Sequence, residues 1–70
     1  MILADWEIAY MFSKLELRYR IGVLHNVGLK INLCDYDSEE EIEFFISNGF
    51  KWAIQFGKSQ DILFEINKLK

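Results

Sequence analysis

Lys14-Leu15-Glu16-Leu17-Arg18-Tyr19-Arg20-Ile21 alternates without a break. Leu15, Leu17, Tyr19 and Ile21 fall on one side of an extended chain, and Lys14, Glu16, Arg18 and Arg20 on the other. Period two is the pattern of a half-buried strand, because successive side chains of extended backbone point to opposite faces. The preceding stretch keeps the same rhythm, with Trp6, Ile8, Tyr10 and Phe12 alternating with Glu7, Ala9 and Met11. If Ser13 and Lys14 form a hairpin loop, Phe12 faces Leu15, Tyr10 faces Leu17, Ile8 faces Tyr19 and Trp6 faces Ile21, which gathers the large apolar residues on one face. A short helix burying Ile8 with Phe12 is the alternative for residues 5–12.

Further along, a three-residue loop of Asn26, Val27 and Gly28 supplies glycine at the left-handed position such hairpins need. It pairs Val23 with Ile31 and Ile21 with Leu33, giving a third strand. Ser38-Glu39-Glu40-Glu41 has capping-box spacing and starts a helix. Ile42, Phe45 and Ile46 share a face of that helix, Phe44 points elsewhere and is expected to be exposed, and Asn48-Gly49 ends the helix. Phe50, Trp52, Ile54 and Phe56 alternate with Lys51, Ala53 and Gln55, which reads as a fourth strand ended by Gly57. In the last segment Ile62, Leu63, Ile66 and Leu69 fit a helical stripe, with Ser59 as cap, Asp61 near the start and Lys68 near the end. A fifth strand through Ile62, Phe64 and Ile66 competes with it. The expected fold is α+β in the order βββαβα: an antiparallel sheet, made of a three-strand meander plus a fourth strand, covered by one or two helices.

Seventy residues leave room for one core, so the whole of residues 1–70 is read as a single domain. At 51% hydrophobic and with no proline, the chain lacks the composition of a disordered segment. Cys34 is the only cysteine and has no internal partner, which fits a reducing compartment. The first residues carry no basic export region and the chain has no apolar run of about 18 residues, so a cytoplasmic protein with no membrane span is expected. A domain this small leaves much apolar surface uncovered, and eleven aromatic residues need covering. The expected remedy is a protein partner, or a homodimer formed through an edge strand.

Charge is segregated. Asp35, Asp37, Glu39, Glu40, Glu41 and Glu43 lie within residues 35–43 with no base among them. Acids in a helix's first turn complement its dipole, and that alone accounts for three of them. A cluster of this kind also steers association with a basic partner surface. Asp37, Glu39, Glu40 and Glu43 are therefore the expected steering residues, with Phe44 as an apolar anchor.

Other chemistries find little support. Asp35-x-Asp37-x-Glu39 opens like a calcium loop, but Glu40 stands where glycine is needed and Ile46 where the bidentate glutamate should be. No metal site is expected. His25, the only histidine, and Cys34 fall on opposite faces of the expected sheet, so they form no nucleophilic dyad. His25 reads as a turn residue and Cys34 as a strand residue. No glycine-rich phosphate loop occurs, and no cofactor is expected. The expected function is therefore non-enzymatic: an acidic protein-binding module that regulates or inhibits a larger cytosolic protein. In size and acidity the chain is similar to small phage-encoded inhibitors of host machines. The alternative is nucleic-acid binding through Lys14, Arg18, Arg20 and Lys30 on the outer sheet face, against which a pI of about 5.0 weighs.

Overall fold

The Lys14–Ile21 stretch is not extended. In the computed structural model, which describes residues 3–69, it passes through a tight turn and enters a helix at Leu17. Four α-helices follow in order: α1 (Asp5–Ser13), α2 (Leu17–Asn26), α3 (Glu39–Gln55) and α4 (Ser59–Lys68), with one 3-10 turn at Leu33–Asp35 between α2 and α3. No strand occurs among the described residues. The α+β expectation, βββαβα, is overturned, and the hairpin pairings and outer sheet face fall with it.

The physical reason lies in the residue types. Between Lys14 and Ile21 only Ile21 is β-branched, whereas leucine, lysine, glutamate and arginine all sit comfortably in helices. Helical spacing also draws an apolar stripe through Leu17, Ile21 and Leu24, at i, i+4 and i+7. Val23, Leu24 and Val27 are buried, while Tyr19, which a strand would turn inward, is 39% exposed. In α1 the same choice buries Ile8 and Phe12 and leaves Trp6 and Tyr10 outside. Short alternating runs satisfy both periods, and packing decides between them.

Expected turns become helix ends. Gly28 (φ +109°) follows α2: its amide donates to the His25 carbonyl and the Leu29 amide to the Leu24 carbonyl. Gly57 (φ +74°) repeats the arrangement after α3, with its own amide on Ile54 and that of Lys58 on Ala53. Both are Schellman caps, which satisfy the last carbonyls through a left-handed residue. Left-handed glycine at position 28 was legible; its hairpin was not. The expected third strand is an irregular connector that includes the 3-10 turn, where the Asn32 side chain accepts from the Cys34 amide.

Ser38 starts α3 as expected, its hydroxyl accepting from the Glu41 amide at 3.3 Å. The helix does not end at Asn48-Gly49, and the expected strand Phe50–Phe56 is mostly its continuation to Gln55. Gly49 is buried inside the helix because α2 and its connector pass close by. A Cβ built there would stand 2.4 Å from Leu29 Cδ2 and 3.2 Å from Leu24 Cδ1. The last segment is helical, as preferred from its stripe, but Ser59 makes no side-chain cap and Lys58 holds the capping position.

One core joins all four helices: Ile8 and Phe12 from α1, Val23 and Leu24 from α2, Ile46 and Ala53 from α3, and Ile62, Leu63 and Ile66 from α4. α2 packs on α3 and α4, and α1 packs on α4. Phe12 reaches Phe50 of α3 with ring centroids 4.8 Å apart. No helix among the described residues is long and apolar enough to cross a membrane.

Candidate partner-binding surface

The acidic residues gather where the connector turns into α3. Ser38 caps the helix, which fixes Glu39, Glu40 and Glu41 in its first turn. Glu41 also reaches back, its carboxylate accepting from the Asp37 amide at 3.1 Å. Asp37, Glu39 and Glu40 are exposed and make no side-chain hydrogen bond or ion pair among the described residues.

Glu43 differs. It accepts from an Arg20 Nη at 2.5 Å, joining α2 to α3, and the Arg20 side chain is only 17% exposed. Arg20 Nε is buried and has no acceptor. Glu43 is thus engaged inside the fold, and Arg20 is not the freely exposed base a sheet face would have displayed. Arg18 pairs with Glu16 at 3.3 Å and stands over the Tyr19 ring, while Lys14 stands over the Tyr10 ring. The basic set Lys14, Arg18, Arg20 and Lys30 has no common sheet face to occupy.

Phe44 is 59% exposed, as its position off the Ile42–Ile46 stripe implied. It borders an open hollow of roughly 360 Å³ lined also by Asp35, Tyr36, Glu41, Phe45 and Asn48. Tyr36, just past the 3-10 turn, folds back onto α3 so that its ring centroid lies 5.4 Å from that of Phe45. The connector and α3 together line the hollow with three aromatic and two acidic residues. Sequence reading singled out Phe44 but missed Tyr36, Phe45 and Asn48. Nothing local marks them, because their meeting depends on how the connector reverses.

A second exposed apolar region lies between α1 and α3, where Trp6, 74% exposed, borders a hollow with Ala9, Phe50 and Ile54. The strand reading had turned Trp6 inward. Helical spacing would have separated it from Ile8 and Phe12.

His25 lies in the last turn of α2 and Cys34 in the 3-10 turn, both exposed, which corrects the readings of His25 as a turn residue and Cys34 as a strand residue. Among the described residues no group of three or more histidine, cysteine or acidic side chains is placed to hold a metal ion. The surface therefore offers aromatic contact and negative charge. No family model matches the chain, and no curated protein or solved structure shows significant similarity to it.

Proposed function

We propose that this protein is a non-enzymatic binding module of the cytoplasm that docks on a larger protein as a regulator or inhibitor, using the start of α3. The observation that supports this is an exposed Phe44 beside an aromatic hollow, next to Asp37, Glu39 and Glu40, which no basic side chain of the described fold engages. Exposed aromatic anchors carry a large share of binding energy at interfaces, while nearby charge sets encounter rate and partner choice. The partner surface is basic. Glu43 contributes to the field while holding Arg20. Among the described residues there is no edge strand through which a homodimer could form and no sheet face for nucleic acid.

The test is affinity capture from native lysate with the tagged protein, followed by association kinetics with the captured partner. A Glu39→Gln, Glu40→Gln variant should fold normally and associate several-fold more slowly at low salt, with the difference vanishing as salt rises. Phe44→Ala should chiefly speed dissociation. Unchanged kinetics in both variants would return the acids to helix capping and Phe44 to an idle surface position.

A further inference from the structure

The hollow beside Phe44 has the chemistry of an organic-cation site, and we infer that it receives the side chain of an arginine carried on the partner polypeptide; this rests on the binding reading above and specifies its ligand. Three aromatic residues, Tyr36, Phe44 and Phe45, line it together with Asp35, Glu41 and Asn48, one carboxylate oxygen of Glu41 being taken by the Asp37 amide. Aromatic faces attract cations through the ring quadrupole, and carboxylates add charge-assisted hydrogen bonds. A guanidinium uses both, because it is flat enough to lie on a ring and forked to match a carboxylate.

Elsewhere on the surface some rings are already paired with a cation, while the exposed rings of Trp6 and Phe56, like those of the hollow, carry none among the described residues. Four other rings carry one of the chain's own cations: Lys14 Nζ stands 5.0 Å from the Tyr10 centroid, Arg18 Cζ 4.8 Å from Tyr19, Lys58 Nζ 5.7 Å from Trp52 and Lys68 Nζ 4.8 Å from Phe64. The three rings of the hollow carry none among the described residues, although they stand in the most acidic part of the chain. The helix dipole opposes a cation here with only about half a unit charge at the start of α3. Asp35, Asp37, Glu39, Glu40 and Glu41 outweigh it. At roughly 360 Å³ the hollow lies at the small end of ligand pockets, which suits one side chain better than a larger molecule.

The experiment is a titration of the full-length, isotope-labelled protein by amide-correlation NMR with three blocked pentapeptides of glycine and serine, whose central residue is arginine, lysine or norleucine. The arginine peptide should bind saturably in the millimolar range, shifting Tyr36, Phe44, Phe45 and Asn48. It should bind at least threefold more tightly than the lysine peptide, and the norleucine peptide should leave those signals in place. Phe44→Leu, which keeps apolar area but removes the ring face, and Asp35→Asn should each weaken the arginine peptide threefold or more with circular dichroism unchanged. Equal binding of the norleucine peptide, or shifts scattered over the surface, would overturn the inference without recourse to any variant. If Phe44→Ala alters partner association while the arginine peptide leaves the hollow untouched, the cation assignment fails and the docking surface stands. If neither responds, both fail.

Discussion

Gly22 and Gly49 are both helical glycines, and replacing each by alanine should move stability in opposite directions. In a helix interior alanine is favoured over glycine by about 0.8–1.0 kcal/mol. At Gly22, exposed in α2, a Cβ meets no atom within 4 Å, so Gly22→Ala should deliver most of that gain. At Gly49 the same Cβ would lie 2.4 Å from Leu29 Cδ2 and 3.2 Å from Leu24 Cδ1. Leu29, half-buried, makes by far the shorter contact and must move, while fully buried Leu24 leaves little room to give. Overpacking of this kind costs about 1–3 kcal/mol, which exceeds the helix gain, so Gly49→Ala should be destabilising by about 1 kcal/mol. The two variants then differ by about 2 kcal/mol, and each kcal/mol moves the melting midpoint by about 4–8 °C in a domain this small. Urea and thermal melts followed by circular dichroism read the difference directly. A cycle with Leu29→Ala isolates the contact: in that background Gly49→Ala should become neutral or stabilising, a coupling of about 1 kcal/mol or more. If Gly49→Ala stabilises as Gly22→Ala does, or the cycle is additive within about 0.5 kcal/mol, α2 and α3 do not approach as described.

Ser38→Ala should cost about 1 kcal/mol in a thermal melt through the lost α3 cap, whereas Ser59→Ala, which removes no cap bond, should stay within about 0.5 kcal/mol of the parent. Gly28→Ala forces a Cβ onto φ +109° and should lower stability by at least about 1 kcal/mol, measured by urea unfolding. Glu43→Gln should cost about 1 kcal/mol or less, since the carboxylate side is 44% exposed, and the loss should shrink in high salt. Adding Arg20→Met removes the guanidinium with its buried, unpaired Nε, and the double variant should recover to within about 0.5 kcal/mol of the parent.

Local sequence signals hold best where one residue's own chemistry decides, although Ser59, expected to cap α4, makes no cap bond. Ser38 caps because its hydroxyl can reach the amide three residues on, and no distant contact is needed. Glycine at position 28 is left-handed whether the chain makes a hairpin or a helix cap, so the conformation was legible while the element was not. The α4 stripe succeeded because Ile62, Leu63 and Ile66 have helical spacing and a lysine near the end supports it. Over residues 5–12 the helical alternative that buries Ile8 with Phe12 is the one the fold adopts, while the strand reading of Lys14–Ile21 fails because large residues dominate its pattern by size. A strand would turn Trp6, Tyr10 and Tyr19 inward, whereas all three stay exposed. Asn48-Gly49 has the residue types of a helix end but lies inside α3. Glycine is there for space, since Leu24 and Leu29 press against it.

Sequence by itself determined the single acidic run, the start of α3, the exposure of Phe44 and the left-handed backbone at Gly28, and it favoured a helix over a strand for α4. Each follows from composition or from forces acting within a few residues. Tertiary structure alone decided that residues 5–13, 17–26 and 50–55 are helical, that Gly49 admits a neighbour, that Arg20 is held by Glu43, and that Tyr36 meets Phe45 beside Phe44. Alternating runs of this length fit either backbone period, and the free energy that separates them comes from burial against partners far along the chain, which no local window contains.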